Sequence, residues 1–161
     1  MEQGYSPAHA KAAVDVLRQE TLLAGRSLYA ASEAVYSLLR YGIPVQVEAG
    51  ENHQTVFCIN WKQPEKNRFA IAEEVTLREG LERRPDLVLY INGIAVAVIE
   101  LKKASVSVNQ GIGQLISNQG PEYNPGFFTT VQWLSGGQQQ RRPALRRHRR
   151  PGQALSALEG R

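Results

Sequence analysis

The stretch Arg83–Ser105, with the sequence RRPDLVLYINGIAVAVIELKKAS, decides the fold of this chain of 161 residues. It contains two apolar runs, Leu87–Ile91 and Ile94–Ile99, which are joined by Asn92-Gly93. Asn-Gly between two apolar runs is the strongest short-range signal of a β-hairpin. The second run is apolar on successive residues, which is typical of a strand covered on both faces. The stretch therefore predicts a hairpin whose second strand lies inside a sheet.

The segments on either side of this hairpin predict helices and further strands. Apolar residues recur at the helical period, and thus predict helices, at 6–24, 27–41 and 107–118. Ser6 is suited to cap the first helix, and Gly42 to end the second. Residues rich in Val, Ile, Phe and Thr predict strands at 54–61, 69–78 and 127–132. This order predicts an α/β domain with a mixed β-sheet flanked by helices.

The formal charge of the chain is unevenly distributed. Up to Gln132 there are 12 Lys and Arg against 14 Asp and Glu, whereas the segment from Trp133 onward has 7 Arg and 1 acidic residue. All of the excess positive charge therefore lies in the last 29 residues, and the basic pI does not by itself indicate a DNA-binding surface. We predict a domain at 1–132 and an irregular tail, rich in Arg and Gln, at 133–161.

Two origins of this tail are open. A frameshift near 133 would explain the abrupt change to Gln, Arg, Pro and Gly, because the residues after it would be out of frame. The alternative is a basic arm for nucleic acid, although such arms usually contain lysine and this segment has none. Residues 134–141, LSGGQQQR, look like the signature of ABC-type ATPases, but the upstream phosphate loop that this signature needs is absent.

The lengths of the apolar segments and the cysteine content argue against a membrane-spanning, a secreted or a disulfide-rich protein. No stretch approaches the roughly 20 uninterrupted apolar residues of a membrane helix, and the N-terminus lacks the apolar core of a secretory signal. We therefore expect a soluble, cytoplasmic protein. The single cysteine, Cys58, excludes an internal disulfide and a cysteine-rich zinc site, and its apolar neighbours predict a buried residue rather than a nucleophile.

Three charged residues stand at the end of the hairpin that is remote from its turn. Asp86 opens the first strand, while Glu100 and Lys102 end the second and share a face because side chains alternate along a strand. Two carboxylates and a lysine at the end of a buried sheet are costly unless something uses them. Mg²⁺ is typically held by one or two carboxylates, and it can stabilise charge on a phosphate and acidify a water nucleophile. The pattern favours a metal site over a turn aspartate and a solvated Glu-x-Lys pair.

The parity of the hairpin sets a geometric condition on this site. A regular two-residue turn at Asn92-Gly93 would place Asp86 opposite Ile99, and hence on the other face of the sheet from Glu100. One β-bulge, or a three-residue loop, would bring the two carboxylates to the same face. The metal-site hypothesis therefore requires an odd loop or a bulge.

Pro85-Asp86 followed by Glu100-Leu101-Lys102 resembles the PD-(D/E)xK nuclease motif, and the surrounding stretch resembles the N-terminal nuclease domain of type I restriction enzyme R subunits. The resemblance runs from about the first helix to Gln132 and is strongest over 83–105. It implies a restriction-endonuclease-like core. It also implies that Asp86 and Glu100 bind Mg²⁺ with the carbonyl of Leu101, and that Lys102 assists the attacking water.

Further site residues are implied by the same resemblance. Many members of the family carry a Gln-x-x-x-Tyr motif on the next helix, where this chain has Gln114 but Asn118 in place of the tyrosine. Gln114 would help to place the DNA strand. Related nucleases use a glutamate from the first helical region, for which Glu33 is a candidate, although a surface role for it is the simpler interpretation. Apart from the resemblance, basic residues near the motif are candidates to contact phosphates, and the alternative is that each is a solvated charge: Arg83, Arg84 and Lys103.

The resemblance implies more than this chain contains. R subunits of this family are long, use ATP through two motor domains, and act on double-stranded DNA with modification and specificity subunits. No G-x-x-x-x-G-K-[ST] phosphate loop occurs here, so we expect no ATP site in this chain. Two alternatives to an endonuclease domain are a non-catalytic remnant or assembly module of the same complex, and another PD-(D/E)xK nuclease of the resolvase or repair type.

Overall fold

The computed structural model describes residues 4–48, 50 and 52–139. The helices in this part of the chain are α1 (Pro7–Thr21), α2 (Leu28–Tyr41), α3 (Val108–Ser117) and α4 (Pro125–Phe128). The strands are β1 (Ile43–Val45), β2 (Gln54–Val56), β3 (Phe69–Glu73), β4 (Leu87–Ile91), β5 (Ile94–Lys103) and β6 (Trp133–Gln139). A 3₁₀ turn at Pro64–Lys66 lies between β2 and β3.

Serine side chains cap the starts of the three longer helices. Ser6, Ser27 and Ser107 each accept a backbone N–H from the first turn that has no partner within the helix. Gly42 ends α2 with a φ of 89°, a conformation that a residue with a Cβ rarely adopts. The three predicted helices are therefore confirmed, with ends that differ by a few residues.

Four strands form one mixed sheet in the order β3-β4-β5-β6. β4 pairs antiparallel with β3 and with β5, whereas β5 and β6 are parallel. β1 and β2 form a separate two-stranded antiparallel sheet. The predicted fold class, a mixed β-sheet flanked by helices, is confirmed.

Two hydrophobic clusters form the core of the described residues. The first joins α1 and α2 to β1 and β2, and it also packs against Ile91 and Ile94 beside the hairpin turn. The second lies between the hairpin, α3 and α4, and its centre is Val88 and Val98, which are fully buried. Burying a side chain of this size stabilises a fold by about 1.5–3 kcal/mol, so these two valines anchor the hairpin in the second cluster.

β5 lies inside the sheet, as predicted, but its two faces are not covered equally. Ala95, Val98 and Glu100 are buried, whereas Ile99 and Leu101 are only half-buried. These three side chains lie on the face against which α3 and α4 pack. On the opposite face Ala97 is buried and Ile94 packs against the first cluster. Both faces of β5 therefore contact other parts of the described chain, although the face of Ile99 and Leu101 is less completely covered.

β2 and β3 are shorter than the strands predicted at 54–61 and 69–78. After β2 the chain forms a loop, in which the Asn67 side chain accepts the backbone N–H of Asn60 at 2.8 Å and donates to its carbonyl at 2.9 Å. β3 ends before Glu74, whose φ of 51° interrupts the extended backbone. Local hydrogen bonds and backbone conformation thus end both strands, although the residues that follow still favour β-structure.

The last strand lies further along the chain than the sequence predicts. The strand predicted at 127–132 is wrong, because Pro125–Phe128 form α4 and the strand is Trp133–Gln139. These seven residues belong to the segment expected to be irregular, and they pair with β5 over their whole length. Gly and Gln are uncommon in strands, so only the pairing with β5 reveals this one. Residues 140–161 lie outside the described residues, and the domain boundary at 132 and the out-of-frame origin stay predictions.

Cys58 is half-buried and packs against the first cluster. Burial raises the pKa of its thiol, which disfavours the thiolate and agrees with a structural role. In the part of the chain that the structure describes, no helix is both long and apolar enough to cross a membrane.

Asn92 ties the hairpin turn to the loop that follows β2. Its Nδ2 donates to the Cys58 carbonyl and to Asn67 Oδ1, both at 2.8 Å, and its Oδ1 accepts the N–H of Arg68 at 2.8 Å. Its φ is 52°, and that of Gly93 is 85°, as a tight two-residue hairpin turn requires. Asn92 therefore joins the two clusters at the turn.

We predict that Asn92→Ala lowers the free energy of unfolding by about 2–3 kcal/mol, because it removes three hydrogen bonds and strains a positive φ. Asn92→Gly removes the same bonds without the strain, and it should lose less. Urea unfolding of both variants beside the wild type measures the difference. Equal stability of all three proteins would refute the assigned role of this side chain.

Candidate active site

A β-bulge in the hairpin sets the register of the candidate site. Ile91 pairs with Ile94 across the two-residue turn, but Tyr90 pairs with Ala95 and Leu89 with Ala97, so Val96 is an extra residue in β5. The backbone N–H of Gln132 bonds to the carbonyl of Val96 at 2.9 Å. This is the bulge that the metal-site hypothesis requires.

Beyond the bulge, Leu87 pairs with Ile99. The same register places Asp86 opposite Glu100, and residues directly opposite in an antiparallel pair share a face. Asp86 Oδ2 also accepts the backbone N–H of Leu101 at 2.6 Å. The carboxylate of Asp86 is thereby held against the end of β5, next to Glu100.

Glu100, Lys102 and Gln114 form a connected polar group beside Asp86. The side chain of Glu100 is only 3% exposed, and its Oε1 accepts from Lys102 Nζ at 2.9 Å. Lys102 Nζ also donates to Gln114 Oε1. Strand alternation explains why Glu100 and Lys102 lie on one face, and α3 brings Gln114 to them. Four predicted site residues thus lie together: Asp86, Glu100, Lys102 and Gln114.

Glycines allow α3 to lie close to this group. A Cβ at Gly111 would stand 3.4 Å from Cγ of Lys102 and 3.8 Å from Cγ of Glu100. Gly136, which pairs with Glu100 from β6, would place a Cβ 3.1 Å from Ile112 Cγ1 of α3. Glycine disfavours a helix by its intrinsic propensity, but Gly111 sets how closely α3 approaches the sheet.

A buried asparagine that the sequence did not single out positions the loop before Asp86. Asn124 is fully buried, and its Oδ1 accepts the N–H of Glu79 at 2.8 Å while its Nδ2 donates to the Leu81 carbonyl at 3.0 Å. The backbone of Asp86 is held in turn, because its carbonyl accepts the N–H of Glu74 at 3.0 Å. A lone asparagine in a loop has no sequence signal that could have identified this role.

The other residues that the sequence analysis suggested for the site lie away from the carboxylate pair, contact other side chains, or are exposed. Glu33 is exposed and lines a shallow cleft with Tyr36 and Gln132, so the structure does not bring it to the carboxylate pair. Arg84 forms an ion pair with Glu74, and the guanidinium of Arg83 stacks on the Tyr123 ring at 4.0 Å. Lys103 is exposed.

Asn118 stands one helical turn after Gln114, where the resemblance suggested a tyrosine. It caps the end of α3, with its backbone N–H bonded to the Gln114 carbonyl. Its side chain is 1% exposed, and neither amide atom has a hydrogen-bond partner among the described residues. The shorter side chain is thus buried, and nothing in the structure explains its unpaired amide.

The donor atoms of the site fit a small divalent cation. Glu100 Oε2 is buried and has no hydrogen-bond partner among the described residues, so it is an available anionic ligand. The N–H and C=O of one strand residue point to the same neighbouring strand, so the Leu101 carbonyl faces the edge where Asp86 lies. Two carboxylates and a carbonyl are ligands that Mg²⁺ accepts. No group of three or more His, Cys, Asp or Glu that could hold a metal occurs within the described residues, so a bound ion would need water or substrate oxygens as well.

The sheet, the flanking helices and the paired carboxylates define an α/β domain with a polar site at the open end of its hairpin, and comparison with known proteins identifies its family. Residues 3–148 match the family of the type I restriction enzyme R protein N terminus. Because this match covers most of the chain, the chain belongs to that family.

Individual relatives are also named as subunits of type I restriction enzymes. A Methanocaldococcus jannaschii protein, provisionally named as the endonuclease subunit of type I restriction enzyme MjaVIIP, is 34% identical over 107 residues, which is 63% of this chain and 10% of the relative. The endonuclease subunit of the type I restriction enzyme SauMSSORF170P, from Staphylococcus aureus strain MSSA476, is 24% identical over 112 residues, or 70% of this chain and 11% of the relative. The chain thus spans about a tenth of the length of these relatives. No solved structure matches it.

We predict that Lys102→Met lowers the free energy of unfolding by about 2–3 kcal/mol, because it leaves the buried Glu100 carboxylate without its cation. The double variant Glu100→Gln/Lys102→Met should recover much of this loss, since no buried charge then lacks a partner. Lys103→Met, at the exposed neighbouring position, is the matched control and should change stability by less than about 0.5 kcal/mol. Urea unfolding of these proteins and of the single variant Glu100→Gln measures the differences, and additive effects of Glu100→Gln and Lys102→Met would contradict a Glu100–Lys102 pair.

Proposed function

We propose that this chain is a Mg²⁺-dependent endonuclease domain of a type I restriction R subunit and that it hydrolyses phosphodiester bonds of double-stranded DNA. The observation that carries the proposal is the bulge at Val96, which brings Asp86 and Glu100 to one face beside Lys102. Membership of the R-subunit family and relatives named as endonuclease subunits support the same activity.

Asp86, Glu100 and the Leu101 carbonyl would hold the metal ion in this proposal. When bound, the ion would supply positive charge to the scissile phosphate and lower the pKa of a water molecule. The two carboxylates are suited to hold it because one is fixed by the Leu101 N–H and the other has a free buried oxygen. Their positions depend on backbone pairing rather than on flexible loops, so the ligands are pre-positioned.

Lys102 and Gln114 would act on the water and the DNA strand. Lys102 is mostly buried beside Glu100, with Nζ held between Glu100 Oε1 and Gln114 Oε1. A lysine held in this way can orient the attacking water and offset negative charge on the phosphate. Gln114 also has an amide N–H₂ that can donate to a phosphate oxygen while its Oε1 accepts from Lys102.

The wider setting that the family resemblance implies is also part of the proposal. The chain would work in the cytoplasm, within a complex that contains the modification and specificity subunits. ATP would be needed only by the motor regions of a full-length R subunit.

Calorimetric titration of Mg²⁺ or Mn²⁺ into the whole chain tests the metal site. We expect saturable binding that is lost in Asp86→Asn and in Glu100→Gln, because each removes one anionic ligand without changing the size of the side chain. Glu65→Gln, in the exposed 3₁₀ turn Pro64–Lys66, is the control that should bind as the wild type does. A folded wild-type chain that binds no ion and cleaves no DNA would indicate a non-catalytic remnant instead.

Nicking of supercoiled plasmid DNA tests the proposed role of Lys102. We expect Lys102→Met to lower the cleavage rate about 100-fold or more while it retains metal binding, since losing one donor that stabilises transition-state charge costs on this order. Lys103→Met should cleave at the wild-type rate. Equal rates for the two variants would exclude Lys102 from the reaction. A strong preference for branched over linear DNA would point to a nuclease of the resolvase type.

A further inference from the structure

The lysines and arginines before Trp133 fall into two sets of different environment. Five of these twelve residues form ion pairs, namely Lys11 with Asp15, Arg26 with Glu20, Arg78 with Glu82, Arg84 with Glu74 and Lys102 with Glu100. The other seven form no ion pair with any carboxylate of the described residues, and five of these seven share one location, namely Arg18, Arg40, Lys62, Lys66 and Arg68. All five of these unpaired cations are exposed and line one groove.

This groove, which we call the basic groove, lies between α1, the segment 56–70 and the turn end of the hairpin. No Asp or Glu is among its lining residues. Its floor is apolar and includes Leu17 and Ile59, whereas aromatic side chains stand at its sides, with Trp61 44% and Phe69 64% exposed. The arrangement combines unpaired positive charge with exposed aromatic rings.

Charge of one sign around an open groove raises the local positive potential and attracts an anionic ligand. Arg40 lies over the Trp61 ring at 5.2 Å, but a ring does not neutralise its charge. The segment after Trp133 cannot supply the missing negative charge, because it contains 7 Arg and 1 acidic residue. The groove therefore fits a ligand from outside the chain that carries several negative charges.

We propose that the basic groove binds a single strand of DNA, with phosphates against the five cations and bases against the aromatic side chains. Cationic grooves with exposed aromatic rings suit single strands, because unpaired bases can stack on the rings. The bases of a duplex are already stacked inside it, and an acidic peptide would leave the rings without partners. The proposal rests on the proposed function only for the choice of DNA as the nucleic acid that binds.

The basic groove is separate from the carboxylate site. Asn92 and Gly93 line the groove at the turn, whereas Asp86 lies six residues away at the other end of β4. At about 3.3 Å per strand residue this separation is roughly 20 Å. Strand binding in the groove can thus be measured without metal and without cleavage.

Fluorescence anisotropy of a labelled single-stranded oligonucleotide of mixed sequence, with the whole chain in EDTA, tests the proposal. The groove variant is Lys62→Gln/Lys66→Gln/Arg68→Gln, and the matched control is Lys11→Gln/Arg26→Gln/Arg78→Gln. Both lose three positive charges and keep the arginine-rich segment after Trp133. We expect Kd to rise about tenfold or more in the groove variant, with the slope of log K against log salt reduced by about 2, and to change much less in the control.

A second pair of variants tests the contact with bases. Phe69→Ala removes an exposed ring that lines the groove, while Ile71→Ala truncates an equally exposed residue of the same strand that does not line it. We expect Phe69→Ala alone to raise Kd about fivefold or more.

Several results would overturn the proposal. Equal weakening in the two triple variants would assign binding to net charge or to the last residues of the chain. If duplex DNA binds as tightly as the single strand and is weakened as much by the groove variant, the ligand is not specifically a single strand. If poly-glutamate at equal charge displaces the DNA, the groove binds polyanions in general. Asp86→Asn should leave binding unchanged, so failure of the groove proposal and failure of the metal site are distinguishable.

Discussion

The extra residue at Val96 is the constraint on which the candidate site depends. A two-residue turn at Asn92-Gly93 fixes the pairing of Ile91 with Ile94, and from there a regular ladder would leave Asp86 and Glu100 on opposite faces. The bulge shifts the rest of β5 by one residue, and the Gln132 N–H bonded to the Val96 carbonyl holds it. A single unpaired residue in the middle of the hairpin therefore decides the chemistry at its end. Bulges near active sites commonly redirect side chains in this way.

The site is surrounded by packed strands and a helix, which hold its side chains in place and make the burial of their charges costly. Glu100 is buried between β6 and α3, and Gly111 and Gly136 allow the helix to lie directly over it. A buried ion pair is seldom better for stability than a well-packed apolar pair, because desolvation offsets the attraction between the charges. Glu100, Lys102 and Gln114 are therefore not explained by stability alone. Together with Asp86 the site has two carboxylates against one lysine, and Glu100 Oε2 has no hydrogen-bond partner among the described residues. This imbalance is what a cation would correct.

The hairpin has opposite electrostatic character at its two ends. Asp86 and Glu100 lie at the open end, whereas the turn at Asn92 borders a groove lined by cations that have no ion-pair partner among the described residues. The Asn92 side chain, which bonds to Cys58, Asn67 and Arg68, joins the turn to the loop that carries several of these cations. Because β4 and β5 connect the two regions, their separation is set by strand length and not by a flexible linker. The net charge of the chain reveals neither region, since most of its excess comes from arginines after Trp133.

Local patterns in the sequence were enough to predict the helices, the Asn-Gly hairpin and the α/β class, because caps, turns and hydrophobic period act between near neighbours. They also singled out Asp86, Glu100 and Lys102. The parity of the hairpin showed that a metal site would require an odd loop or a bulge, but it did not locate the bulge at Val96. The sequence placed the last strand wrongly, since Trp133–Gln139 is poor in β-forming residues and is a strand only through its pairing with β5. Tertiary structure alone decided the role of Gly111 and of Asn124, and it alone brought the five groove cations to one groove. Each of these depends on a neighbour distant in the sequence, and periodicity or motif spacing carries no information about such contacts.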